Sequence, residues 1–171
     1  AGLALFWNPG QSPSVGPSAA SGIRVAEVSG EVIFTLPDGS LQTYSKDVEL
    51  AAGSTIATGP AGSRAVLFYA DGTRMLIGPS TQLTLGGQNG KLIQLDHGVL
   101  TSEIALQRDG RFLRFQTGGA EVEVLGTGIS LVRLTGEPLV LVHEGRVRVT
   151  RLKDGMAEEV SAGEQVLVAS T

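Results

Sequence analysis

The sequence has no cysteine and few aromatic residues, and these absences exclude several classes of protein. Without cysteine there is no disulfide framework, no thiolate metal site and no cysteine nucleophile. The formal net charge of −4 leaves no basic surface for a nucleic acid. The apolar run at residues 1–7 is far shorter than the roughly 20 residues that a membrane-spanning helix needs.

The sequence is rich in glycine and aliphatic residues, which favours many short strands. It has 24 glycines among 171 residues, and 42% of the residues are hydrophobic although only 5% are aromatic. A chain of this length fits one domain with an appendage. Its core is therefore expected to consist mainly of valine, leucine and isoleucine, with frequent turns.

The hydrophobic residues alternate with polar ones with a period of two, as at Glu31–Thr35, Arg111–Phe115 and Arg146–Thr150. No window shows the apolar spacing of an amphipathic helix. The four residues Leu139–Val142 are all apolar, so this strand is expected to be covered on both faces. The pattern predicts an all-β fold, an antiparallel sandwich or roll of about a dozen short strands with negligible helix.

Five turn pairs and a weak internal repeat indicate repeated β-hairpins. The pairs are Asp38-Gly39, Asp71-Gly72, Asn89-Gly90, Asp109-Gly110 and Asp154-Gly155. The repeat places a glycine between two apolar strands three times, at Gly30, Gly98 and Gly145. Hairpins stacked on one core explain this repeat, and a short β-solenoid is the alternative.

The N-terminal region divides into two parts before the β domain. Residues 1–7 form an apolar tip, and residues 8–22 are mostly proline, glycine and serine, which is typical of an extended linker. The β domain is expected at residues 23–171. The tip is interpreted either as the remnant of a processed membrane or signal segment, or as a fraying terminus.

The candidate catalytic and ligand-binding residues all have simpler structural explanations. Gly126-Thr127-Gly128 precedes a strand rather than the helix that a phosphate loop requires. His97 and His143 lack the converging ligands of a metal site. Glu121 and Glu123 share the solvated face of one strand. The sequence therefore predicts no catalytic, cofactor-binding or metal-binding residues, and no enzyme.

Six segments in order resemble the FecR domain, the extracytoplasmic part of anti-sigma regulators of the ferric citrate type. The resemblance covers about residues 25–168. The segments are Val28–Val32, Leu50–Gly59, Ala65–Ser80, Val122–Val132, Val142–Val149 and Ala162–Val166.

This resemblance implies a compartment and a role. In that family the domain lies outside the inner membrane, follows a single transmembrane helix, and relays the state of an outer-membrane transporter to a sigma factor. It implies an extracytoplasmic, non-catalytic signalling domain that binds protein partners and no nucleic acid. A membrane would be contacted only through a missing or processed N-terminal segment.

The tip suggests an alternative function. Leu3, Leu5 and Trp7 alternate with smaller residues and, with Phe6, suit a strand donated to the edge of a neighbouring sheet. These four residues are the predicted partner-binding residues. On this hypothesis the protein is a secreted, self-assembling subunit of an extracellular filament.

Overall fold

A computed structural model describes residues 22–44, 48–107, 112–124 and 126–169 of the chain. These residues form sixteen strands and a three-residue 3-10 helix at Gln88–Gly90, with no α-helix. The strands are β1 (Ile23–Ser29), β2 (Val32–Thr35), β3 (Leu41–Gln42), β4 (Glu49–Leu50), β5 (Thr55–Thr58), β6 (Arg64–Tyr69), β7 (Arg74–Ile77), β8 (Gln82–Gly86), β9 (Leu92–Ile104), β10 (Leu113–Thr117), β11 (Ala120–Val124), β12 (Thr127–Arg133), β13 (Leu139–Glu144), β14 (Arg146–Arg151), β15 (Ala157–Ser161) and β16 (Gln165–Leu167). The prediction of an all-β fold with negligible helix is confirmed.

The strands form two sheets that share β9. Sheet A has the order β4-β1-β6-β7-β9-β12-β13-β16. Sheet B has the order β3-β2-β5-β8-β9-β10-β11-β14-β15. The first half of β9 pairs in sheet B and its second half in sheet A, so this 13-residue strand passes from one sheet to the other.

One hydrophobic core lies between the two sheets. Alternate residues of the strands point inward, so sheet A contributes residues such as Leu67 and Met75, while sheet B contributes residues such as Phe34 and Phe115. All four of these side chains are fully buried. Each large apolar side chain buried in this way stabilises the fold by about 1.5–3 kcal/mol.

Four of the five predicted turn pairs lie between antiparallel strands. Asp38-Gly39 joins β2 to β3, Asp71-Gly72 joins β6 to β7, and Asp154-Gly155 joins β14 to β15. Asn89-Gly90 lies in the 3-10 helix between β8 and β9.

The hairpin predicted at Asp109-Gly110 is wrong. The turn itself lies outside the described residues, but the strands on either side of it do not pair as a hairpin. Because β9 ends in sheet A and β10 belongs to sheet B, the chain crosses between the sheets here. β10 then pairs in parallel with the first half of β9, with Phe115 opposite Ile93. Sheet B is therefore mixed, whereas the pairings of sheet A among the described strands are all antiparallel.

The three repeat glycines mark places where the chain passes between the sheets. Gly30 separates β1 in sheet A from β2 in sheet B, and Gly145 separates β13 in sheet A from β14 in sheet B. Gly98 lies at the bend of β9. All three have positive φ angles, of 69°, 111° and 72° for Gly30, Gly98 and Gly145. Glycine adopts this conformation without steric cost.

A buried serine or threonine faces each of these glycines. The Ser63 hydroxyl accepts a hydrogen bond from the amide of Glu31, after Gly30, at 3.1 Å. The Thr81 hydroxyl accepts one from the amide of Val99, after Gly98, at 3.0 Å. Thr127 lies 2.8 Å from the position that a Cβ atom on Gly145 would take. At each copy of the repeat the chain therefore passes from one sheet to the other, and a hydroxyl group packs against the glycine at that point.

Candidate protein-interaction surfaces

The predicted partner-binding residues Leu3, Leu5, Phe6 and Trp7 lie outside the described residues. They therefore stay a prediction. The surfaces that the described residues form are the outer faces of the two sheets, their free edges and the clefts between elements.

The outer faces of the two sheets differ in polarity. By strand register, the outward residues of sheet A include a row of aliphatic side chains, which we call the apolar outer face. It consists of five half-buried residues, Leu76, Val99, Val132, Leu139 and Leu141. Val66 points to the same side but is only 3% exposed. The outer face of sheet B is mainly polar, with Thr55 bonded to Thr84 at 3.1 Å and Gln116 to Glu121 at 2.8 Å. Sheet A therefore offers the more apolar surface to a partner.

The expectation that Leu139–Val142 is covered on both faces is wrong for the described residues. Val140 and Val142 are buried in the core between the sheets. Leu139 and Leu141 point the other way, to the outer side of sheet A, and are only half-buried. The four residues are all apolar because two of them face the core and the other two belong to the apolar outer face.

Charged residues border this apolar surface at the end of the sheet where β1 begins. The Arg24 guanidinium lies 5.9 Å from the centre of the Phe68 ring, in a cation–π arrangement. Arg74 and Glu103 are opposite each other in the register of β7 and β9. A partner that covers the aliphatic residues would thus meet charges of both signs at one border.

The free edges of the two sheets differ in their protection. β3 and β4 have only two residues each. β15 carries Glu158 and Glu159, and the outward amide of Ser161 donates to the Glu164 carboxylate at 2.7 Å. Short strands and charges are common means of protecting an edge. β16 is uncharged and, among the described strands, pairs only with β13.

An apolar cleft of about 180 Å³ opens between β15 and β16, where the free edges of the two sheets lie side by side. Most of its lining is apolar and includes Val149, Met156, Val166, Leu167 and Val168, while Arg151 and Glu158 are its charged lining residues. Met156 and Leu167 are 64% and 58% exposed. The cleft and the free edge together form a surface of the kind to which an extended segment adds as a strand.

One serine–histidine pair lies on the outer face of sheet A. The Ser130 hydroxyl is 2.8 Å from Nε2 of His143 and 3.0 Å from the Thr101 hydroxyl. A catalytic triad needs a carboxylate that orients the histidine, and no hydrogen bond from His143 to a carboxylate is present in the described part of the chain. The pair stabilises the β12–β13 pairing beside a bulge after Gly128.

The other candidate residues also have structural positions. Glu121 and Glu123 lie on the polar face of sheet B, opposite Thr150 and Arg148 of β14. His97 lies exposed at the bend of β9. The ranges that the structure describes contain no group of three or more side chains that could hold a metal ion.

Comparison with known proteins decides the family. A family model described as FecR protein matches residues 54–148, just over half of the chain. The chain belongs to the FecR family. The resemblance noted in the sequence is therefore confirmed.

Solved structures show the same fold as this FecR domain. Two crystal structures of a candidate anti-sigma factor from Parabacteroides distasonis ATCC 8503 match it with TM-scores of 0.59 and 0.57 and identities of 18% and 19%. Each match covers 68% of this chain and 55% of the other. The FecR chain thus spans just over half the length of those proteins. None of the curated proteins matches it.

The D-G-T segment of the FecR domain forms a charged cluster that joins the two sheets. The Asp71 carboxylate pairs with Lys91, and it accepts hydrogen bonds from the Thr73 amide at 2.9 Å and the Gln107 amide group at 3.1 Å. Partial burial works to raise the pKa of Asp71, but the bonds from Lys91, Thr73 and Gln107 outweigh it and lower the pKa to about 2. This motif is therefore structural.

The aromatic ring beneath this cluster connects it to the core. The Lys91 ammonium lies 5.7 Å from the centre of the Tyr69 ring, and the Tyr69 hydroxyl donates to the Gly90 carbonyl at 3.1 Å. Burial raises the pKa of Tyr69, so this hydroxyl stays protonated and keeps its donor. Within the described ranges, no helix is long and apolar enough to cross a membrane.

Proposed function

We propose that this FecR domain is a non-catalytic, extracytoplasmic part of a signalling regulator, and that it binds a protein partner through the apolar outer face of sheet A. The observation that carries the proposal is the difference between the two outer faces in a member of this family. A polar sheet face is well solvated by water, whereas the free energy falls when a partner covers an aliphatic face and removes it from water.

The membership of the FecR family supports the regulatory role and the compartment. The solved structures with this fold include a candidate anti-sigma factor, which is consistent with a signal relayed between proteins. The chemistry of the described residues also supports a binding role, because the serine–histidine pair has no orienting carboxylate and the acidic residues are solvated.

Substitution on the apolar outer face tests the proposal. We expect the double variant Leu76→Glu, Leu141→Glu to fold, because both side chains point away from the core, and to bind the partner at least about tenfold more weakly. The control is Thr84→Glu on the outer face of sheet B. A photoreactive amino acid at Val99 should crosslink to one envelope protein in living cells, and the same probe at Thr84 should not.

A transcriptional readout connects binding to regulation. Cells without the gene should misexpress a small set of genes, and the wild-type protein and Thr84→Glu should restore them while the double variant should not. Full restoration by the double variant, or recovery of the protein in the cytoplasmic fraction, would contradict the proposal.

The hypothesis of a self-assembling subunit makes a different prediction. If residues 1–7 are donated to a neighbouring copy, deletion of residues 1–10 should convert large particles into monomers. A signalling domain should keep its size after the same deletion. Size-exclusion chromatography with light scattering distinguishes the two hypotheses.

A further inference from the structure

The backbone of β16 has hydrogen-bonding groups directed away from its one described partner strand. The amide of Val142 donates to the Glu164 carbonyl at 3.1 Å, and the amide of Val168 donates to the Pro138 carbonyl at 3.0 Å. In an antiparallel pair such residues alternate with ones that point outward. The amides and carbonyls of Gln165 and Leu167 therefore point to the free edge.

This edge is the least protected of the four that the described strands leave free. Within the described residues, no carboxylate accepts a hydrogen bond from its outward amides, unlike that of Ser161 on β15, and the strand itself carries no charge. Glu158, Glu159 and Glu164 line a second cleft beside Gln165. The apolar cleft lies along the inner side of the edge. On the outer side, a strand added here would lie beside Gln165 and Leu167 of β16. Its inner face would therefore contact apolar surface.

Residues 1–7 of the chain have the composition that such a strand needs. Leu3, Leu5 and Trp7 share one face of an extended segment, and Ala4 and Phe6 share the other. The segment is uncharged in its side chains and contains no proline, so it can donate every backbone hydrogen bond.

The linker is long enough for the tip to reach this edge of the same domain. β1 and β16 are six strand positions apart in sheet A, which corresponds to about 29 Å at about 4.8 Å per strand. Residues 8–22 span about 46 Å at about 3.1 Å per residue in the polyproline conformation.

The topology also sets the direction of the added strand. The start of β1 and the start of β16 lie at the same end of sheet A, because successive neighbours between them alternate in direction. A tip that arrives from this end places Trp7 near Gln165 and the first residues near Leu167. The segment then runs antiparallel to β16.

We propose that residues 1–7 of the same chain add to the free edge of β16 as an antiparallel strand, with Leu3, Leu5 and Trp7 facing the apolar cleft. A tethered segment has an effective concentration in the millimolar range, so the chain's own tip occupies the edge before a neighbour's tip does. This inference does not depend on the partner that the apolar outer face binds.

Cysteine crosslinking tests the proposal directly, because the chain has no cysteine of its own. Ala4→Cys combined with Leu167→Cys places two thiols on the outer side of the proposed pair. Under mild oxidation we expect a disulfide within one chain, seen as loss of free thiol at monomer mass. The control pairs Ala4→Cys with Leu41→Cys, which is 73% exposed on the free edge of β3.

The other two results overturn the proposal. A disulfide-linked dimer would mean that the tip binds a neighbouring copy, and free thiols equal to those of the control would mean that the tip does not bind β16. Position 167 is exposed, so the substitution does not disturb the core.

The fluorescence of Trp7, the only tryptophan, gives an independent readout. Leu167→Pro removes an outward amide while the β13 hydrogen bonds stay, and Leu167→Ala keeps that amide. We expect acrylamide to quench Trp7 severalfold more strongly in Leu167→Pro than in Leu167→Ala or the wild type. Equal and strong quenching in all three proteins would contradict the proposal.

The effect of Leu76→Glu, Leu141→Glu on partner binding is measured separately. Failure of the β16 proposal would therefore leave the proposed function intact, and failure of the proposed function would leave the β16 proposal intact.

Discussion

Gly98 lies so close to Thr81 that a Cβ atom on the glycine would be 2.4 Å from the threonine Cα atom. The threonine Cα is a backbone atom, so no side-chain rotation would relieve the overlap. It occurs where β9 leaves sheet B for sheet A, and it holds the bend against the segment before β8. The stability of the whole fold is therefore expected to depend on this one contact.

Replacement of Gly98 by alanine should destabilise the protein by more than about 3 kcal/mol, since the added methyl group overlaps backbone and the φ angle is positive. Gly39→Ala is the matched control, because Gly39 has a φ angle of 83° but nothing within 4 Å of its Cβ position. It should cost only about 1 kcal/mol. Urea unfolding of both variants checks the difference, and equal effects would argue against the role of the Thr81 contact.

The hydroxyls that face the crossing glycines should contribute unequally. Thr81 accepts a hydrogen bond from Val99 and donates one to the Pro79 carbonyl at 3.0 Å, so Thr81→Val should cost about 2 kcal/mol. The Thr127 hydroxyl is buried and has no hydrogen-bond partner among the residues that the structure describes. Thr127→Val should therefore change the free energy of unfolding by less than about 0.5 kcal/mol. A large loss on Thr127→Val would show that its hydroxyl is bonded in solution.

The charged cluster at Asp71 should make stability depend on pH in the acid range. The pKa of Asp71 is about 2 in the folded protein, below the value of about 3.9 for an unfolded chain. Its contribution is thus complete above about pH 4 and is lost as the pH falls towards 2. Because the group is partly solvated, we expect about 1 kcal/mol rather than the full value of the shift.

The comparison of wild type with Asp71→Asn measures this contribution. The difference in the free energy of unfolding should be present at pH 7 and should disappear between about pH 4 and pH 2. A difference that stays constant down to pH 2 would mean that the asparagine disrupts packing instead. Glu158→Gln, which removes an exposed carboxylate on β15, serves as the control for a general change in charge.

Ser130 should not react as a catalytic serine. Its hydroxyl is bonded to both Thr101 and His143, and the residue is only 9% exposed. We expect no labelling by a fluorophosphonate probe at neutral pH, as judged by intact mass. Stoichiometric labelling that Ser130→Ala abolishes would overturn the assignment of a non-catalytic role.

The sequence predicts the strands well because alternation of apolar and polar residues is a local signal. It shows which side chains share a face, as at Glu121 and Glu123, and glycine with asparagine or aspartate marks most of the turns. It does not show which sheet a strand joins. For that reason the pair Asp109-Gly110 predicts a hairpin, whereas the strands on either side of it lie in different sheets and β10 pairs in parallel with the first half of β9.

The sequence likewise predicts the positions of the repeat glycines but not their function. Their spacing indicates equivalent positions, but their function depends on Ser63, Thr81 and Thr127, which are distant in the sequence. The one signal in the sequence is that these three hydroxyl residues each lie between residues that are small or polar. For Leu139–Val142, the alternation was hidden because both faces of the strand are apolar, and one of them forms a surface.

The shared strand β9 has a consequence for how the molecule unfolds. Since its 13 residues supply hydrogen bonds to both sheets, neither sheet can separate without breaking the pairing of the other. The domain is therefore one cooperative unit rather than two halves that open in turn. Amide hydrogen exchange near Leu95 and Leu100 should report the global opening of the protein, whereas exchange at Gln165 and Leu167 reports only the occupancy of the edge.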